Sequence, residues 1–215
     1  MKKEKKNKRL CRGEHEYEHE FELELELEIS DQRLQNKNKL KRKRKVSTTK
    51  NITNNETGVV TLWGVEYSIA DTIQIIRSNQ GLTGSIPDTI GQLINLQYLN
   101  LGNNQLTGSI PDLSGLTLLE ELRLYGNQLT GSIPDLSGLT LLENLRLYDN
   151  QLTGSIPDLS GLNLLEYLSF GSNQLTGSIP ALSGLTLLEN LRLYDNQLTG
   201  SIPDLSGLIH LQYLN

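Results

Sequence analysis

The chain has 215 residues, 36% of them apolar and 5% aromatic, with one cysteine and a net charge of −5. A single cysteine excludes an intrachain disulfide framework and a multi-cysteine metal site, and no run long and apolar enough for a transmembrane helix occurs. Charge is segregated: residues 1–50 carry 16 basic residues against 10 acids (+6), and residues 51–215 carry 4 Arg and no Lys against 15 acids (−11), which excludes nucleic-acid binding by the acidic part.

Residues 1–57 read as a low-complexity charged head. From Glu14 to Glu28 every second residue is Glu, and the residues between run His15, Tyr17, His19, Phe21, Leu23, Leu25 and Leu27. Period-two alternation is a strand pattern with one acidic and one apolar face. The repulsion of so many glutamates favours disorder, and a self-associating strand is the alternative. The run Lys41–Lys45 resembles a nuclear localisation signal, a pattern that short basic runs match by chance. Asn51-Ile52-Thr53 and Asn55-Glu56-Thr57 fit the N-glycosylation pattern, which points to the opposite compartment. Met1–Arg12 is basic like the start of a signal peptide, but Gly13-Glu14-His15-Glu16 comes next in place of an apolar stretch, so no export signal is expected here. His15 and His19 have no rigid scaffold to hold a metal, and none is expected.

Residues 58–72 are expected to form a capping strand or hairpin. Val59–Ile69 is rich in β-branched and aromatic residues, with Trp63 and Tyr67 placed to cover the first repeat.

Residues 73–215 repeat. Thr-Gly-Ser-Ile-Pro starts at Thr83, Thr107, Thr130, Thr153, Thr176 and Thr199, with gaps of 24 and then 23. A fixed period in the twenties is the signature of a solenoid, about six repeats here. Aligned on Leu99, Leu122, Leu145, Leu168, Leu191 and Leu214, the unit reads L-x-x-L-x-L-x-x-N-Q-L-T-G-S-I-P-x-L-S-G-L-x-x. Leucines at period two share one strand face and point inward. Asn104, Asn127, Asn150, Asn173 and Asn196 fall where the chain leaves the strand. A buried Asn can there satisfy backbone groups that lose ladder partners. The first unit departs from the rest, with one residue more between Asn79 and Leu82 than later units have.

This unit resembles the leucine-rich repeat, and its L-T-G-S-I-P half resembles the plant-type class. The resemblance covers about Ile73–Asn215 and implies an α/β-type solenoid of mostly short parallel strands. It is a right-handed coil with one strand per repeat on a concave face, a less regular convex side, and the asparagines as a structural ladder. The cysteine-paired N-terminal cap of plant extracellular relatives has no counterpart in this sequence. The sequence stops at Asn215 inside a strand motif, so the uncapped end is expected either to continue in a longer protein or to associate end to end.

On the concave strands the outward rows are Asn100, Arg123, Arg146, Ser169, Arg192, Asn215; then Gly102, Tyr125, Tyr148, Gly171, Tyr194; then Asn103, Gly126, Asp149, Ser172, Asp195. Glu120, Glu143, Glu166 and Glu189 line one side. Arg and Tyr are enriched at binding hot spots, so the candidate partner site is Arg123, Tyr125, Arg146, Tyr148, Arg192 and Tyr194. The competing reading is one solvated set copied by duplication, and Ser169 and Gly171 interrupt the rows. An Arg146→Glu, Tyr148→Ala double variant is expected to abolish binding at an unchanged melting temperature.

Residues 58–215 contain one histidine, His210, and neither Cys nor Lys. No serine is set with a base and an orienting acid, and no cofactor is expected. The expected function is a non-catalytic protein–protein interaction module that binds a protein or peptide on the concave strand face. The alternative is a fragment of a secreted or cell-surface receptor-like or adhesion protein recognising peptide or glycan, and the resemblance favours an extracellular location. An enzyme would need a catalytic domain beyond Asn215.

Overall fold

A computed structural model of the chain describes residues 58–215. The alternating Glu tract, the basic run Lys41–Lys45, the glycosylation motifs, His15 and His19 lie outside the described residues.

The described residues open with an antiparallel hairpin of β1 (Val59–Leu62) and β2 (Val65–Ser68). Its two-residue turn, Trp63-Gly64, has φ of 46° and 76°. Positive φ at both central positions is the geometry whose twist suits a hairpin. Trp63 accepts this unfavourable backbone while its ring packs against the core. Val60 and Leu62 are buried, and β1 lies against the first convex turn of the coil.

Two parallel sheets then run the length of the coil. The seven-stranded concave sheet comprises Gln74–Ile76, Tyr98–Asn100, Glu121–Arg123, Asn144–Arg146, Tyr167–Ser169, Asn190–Arg192 and Tyr213–Leu214. Its leucines stack as the period predicts: Leu99, Leu122, Leu145, Leu168, Leu191 and Leu214 pair one with the next, and Ile75 precedes them. Of the row, Leu122 and Leu145 are wholly shielded from solvent. Each buried side chain of this kind contributes about 1.5–3 kcal/mol.

The second sheet was not foreseen. Each repeat gives two strands, because Gln-Leu-Thr-Gly-Ser pairs as well, in six strands from Thr83–Ser85 to Gln197–Leu198. Its register slips by two residues per turn: Leu129 faces Gly108, Leu152 faces Gly131 and Leu175 faces Gly154. Alternation within the segment buries the leucine and exposes Gln, Thr and Ser. The glycines sit at φ near +77°, where a Cβ is costly. Pairing stops before the next Ile-Pro, since proline lacks a donor.

The convex side carries short turns closed by backbone bonds such as Leu119 N to Leu116 O, 2.9 Å, and no α-helix occurs among the described residues. One 3₁₀ turn, Asp88–Gln92, lies in the first repeat. That is where the extra residue of the 24-residue unit resides, and it corrects the placement between Asn79 and Leu82. The register of Ile75 with Leu99 sets Gln80, not Asn79, at the level of Asn104. Asn79 instead adopts φ 57°, matching Asn103 at 53°. In the later turns Asp112, Asp135, Asp158 and Asp204 each accept the backbone N–H of the serine two residues on at 2.9 Å. That bond holds all four carboxyls below the usual carboxylate range. Ala181 stands at this position in the remaining repeat and cannot make the bond.

The asparagine ladder is built as its chemistry requires. Asn127 Oδ1 accepts the N–H of Leu106 at 3.0 Å, and Nδ2 donates to the carbonyls of Leu101, Leu124 and Tyr125 at 3.0–3.1 Å. Asn150, Asn173 and Asn196 repeat this pattern one turn apart. Asn104 does the same toward the first unit and accepts from both Gln80 N and Leu82 N, so the ladder begins without a partner asparagine there.

Candidate functional site

The concave strands alternate strictly, so every second side chain projects from the sheet. All six candidate residues lie on this face, but two are not the solvated groups the sequence implies. Tyr125 is 7% exposed and Arg146 is 5% exposed. Tyr125 and Tyr148 stack with ring centroids 4.8 Å apart and planes within 6°, about the spacing of neighbouring strands. Gly102 and Gly171 explain how these rings are seated. A Cβ at Gly102 would meet the Tyr125 ring at 2.6 Å, and one at Gly171 would meet Tyr194 at 2.4 Å. Each tyrosine leans over the preceding turn, and glycine leaves room for it. Gly171 therefore belongs to the packing of the tyrosine row and is not merely a break in it.

The arginines are held by different partners. Arg123 pairs with Glu121 at 2.9 Å, and its Nε is buried without an acceptor. Arg146 donates from Nε to Asn144 Oδ1 at 2.9 Å. Its guanidinium lies 3.9 Å from the Tyr167 ring centroid, and that of Arg192 lies 5.5 Å from the same ring. Arg146 and Arg192 sit on the two strands flanking Tyr167, both in register with Ser169. The small Ser169, almost wholly buried, leaves space for this arrangement. Two cations that would repel across the sheet thus share one ring quadrupole.

The first outward row, Tyr98, Glu121, Asn144, Tyr167, Asn190, was missed from sequence. Counting two residues back from each arginine would have found it. Tyr98 donates its hydroxyl to Glu120 at 2.6 Å, and burial together with that bond raises its pKa far above the ordinary phenol value. The third predicted row does not belong to the strand. Asn103, Asp149, Ser172 and Asp195 have φ of 50–53° and turn the chain out of the sheet. Asn and Asp tolerate that left-handed backbone, and Ser172 is the least suited of the four.

No group of three or more His, Cys, Asp or Glu is arranged for a metal among the described residues, and none of their helices could span a membrane.

A parallel coil with two strands per turn, a buried asparagine ladder and an aromatic–cationic concave face defines a repeat protein of the recognition type. The family description "Leucine Rich repeats (2 copies)" matches residues 94–138 and 117–161, and "Leucine Rich Repeat" matches 164–185 and 187–208. Among curated proteins no significant match exists. Solved structures are similar. The ectodomain of the Arabidopsis receptor kinase HAESA, in complex with an extended IDA peptide hormone, is 37% identical over 65% of this chain, with a TM-score of 0.63. The plant peptide hormone receptor RGFR1 in complex with RGF2 is 37% identical over 62%, with a TM-score of 0.59. This chain spans only 24% and 22% of those two chains. A chain of the Arabidopsis BIR3–SERK2 complex is 36% identical over 73% of this chain and 83% of its own length, with a TM-score of 0.52. The chain belongs to the leucine-rich-repeat family, in its plant-type class.

Proposed function

We propose that the chain is a non-catalytic recognition module that binds a protein or peptide partner on its concave strand face. The observation that carries this is the Arg146–Tyr167–Arg192 arrangement beside the Tyr125–Tyr148 stack. It is a pre-ordered surface of hot-spot residue types. Preorganised side chains lose little entropy on binding. The similar structures, among them two peptide-hormone receptor complexes and the BIR3–SERK2 complex, support a protein or peptide ligand. They also favour a second reading, a piece of a receptor-like or adhesion protein acting outside the cell.

The variant expected to separate binding from folding changes with the burial of Arg146. Arg146→Glu would lose its contacts with Asn144 and Tyr167, so it should lower stability as well as binding. Arg192→Glu with Tyr194→Ala acts on less buried residues. Peptides selected against the full chain from a random display library should lose at least about tenfold in affinity for this variant, at a melting temperature within a few degrees of wild type. Full retention of affinity by the selected peptides would discard the concave patch.

The division of the chain belongs to the same proposal: residues 1–57 a separate head, 58–72 a cap and 73–215 the recognition coil. Removal of residues 1–57 should leave a single cooperative urea transition at an unchanged midpoint. A lost or split transition would show that the head contributes to the core.

A further inference from the structure

A second feature lies outside the Arg–Tyr patch. Leu118, Leu141, Leu164 and Leu187 are exposed by 37%, 38%, 38% and 39%, one per turn in four consecutive turns. Such uniform exposure reflects one repeated geometry. Their neighbours Leu119, Leu142, Leu165 and Leu188 are wholly buried and supply the core, so the coil does not need the outer four. Asn95 and His210 occupy the same position in the turns before and after. Two residues further on, the same four turns carry Glu120, Glu143, Glu166 and Glu189, and the flanking turns carry Gln97 and Gln212. An apolar row and an acidic row therefore start and stop together.

The period of the stripe selects what fits it. Adjacent turns lie about 4.8 Å apart, so the four leucines span about 14 Å. An α-helix returns to the same face about every 5.4 Å, a mismatch of about 2 Å over three steps. An extended strand returns about every 6.7 Å, a mismatch of about 6 Å. The glutamates are half-buried and Glu120 already accepts the Tyr98 hydroxyl, so the row acts through its summed negative charge, which calls for Lys or Arg along one side of the helix's apolar face. It also disfavours an anionic membrane surface.

We propose that the Leu118–Leu187 stripe and its glutamate row dock a basic amphipathic helix of a partner protein, laid along the coil axis with one helical turn per repeat. The glutamate row borders the concave face, but the leucine stripe does not include the Arg–Tyr patch, and variants of each test the two separately.

The test uses the full chain and a fluorescent peptide of about 18 residues, with Leu at i, i+4, i+7 and i+11 and Lys along one flank. Saturable binding that weakens with salt is expected in fluorescence anisotropy. Leu141→Asn with Leu164→Asn should weaken it at least about tenfold, Asn being the residue that the first turn already holds at Asn95. Glu143→Lys with Glu166→Lys should weaken it as strongly, and this pair decides the matter alone if the asparagine variant fails to fold by circular dichroism. Arg192→Glu with Tyr194→Ala should leave it unchanged. The proposal is overturned by absence of saturable binding, by equal binding of a scrambled peptide, or by no loss in the charge-reversed pair. Cosedimentation with phosphatidylcholine vesicles that the peptide does not displace would also overturn it, in favour of a lipid surface.

Discussion

Replacing Phe170 with alanine is expected to lower the free energy of unfolding by about 3–5 kcal/mol, measured by urea titration. Phe170 is wholly buried, the one ring in an inward row that after Arg77 of the first turn is otherwise made of Leu101, Leu124, Leu147 and Leu193. In a globular core neighbours relax partly into such a cavity. Here the turns above and below are held apart by the parallel ladder, with Leu147 N bonded to Ser169 O and Phe170 N to Arg192 O, both at 2.9 Å. The void therefore persists. It also lies between two halves of the coil, which touch only through this turn. The variant should unfold over a broader range as the halves lose coupling. Phe170→Leu restores the row's common residue and should cost less than half as much. A loss below about 1 kcal/mol for Phe170→Ala would mean that the stacked rows do not carry the stability.

Asn127→Asp is the second large effect, above about 3 kcal/mol at neutral pH. Asn127 is 9% exposed and gives its amide N–H groups to three carbonyls. A carboxylate places a buried charge against those oxygens and donates nothing. Protonation restores a single donor, so the folded state raises the pKa of this aspartate above its unfolded value near 4. Stability then falls as pH rises from about 4 upward and recovers in part below that. Asn127→Ala lacks the titrating group and should cost about 1–3 kcal/mol at every pH, with Leu106 N left without its acceptor. A pH-independent deficit in the Asp variant would show that the ladder position is wetter than its exposure indicates.

Much of this site was legible from residue order because periodicity is a local property. Leu122 and Leu145 must stack if one turn succeeds another, and Asn127 must then face the backbone that leaves the strand. The six candidate residues were found from the alternation of Leu122-Arg123-Leu124-Tyr125. Tyr167 was missed because its row mixes Tyr, Glu and Asn, and a pattern search rewards identity between repeats.

Residue order determined that this chain winds into a coil of six turns, that its leucines and asparagines form stacked rows, and that Arg and Tyr share one face. Tertiary structure alone decided three things. A second sheet forms with a two-residue slip, because the glycine of one turn must lie beside the leucine of the next. The extra residue of the first unit is taken up as a 3₁₀ turn on the convex side, because the concave register admits no insertion. Arg146 and Arg192 converge on Tyr167, because Ser169 between them is too small to keep them apart. Each depends on the distance between adjacent turns, which the order of residues within one turn does not contain.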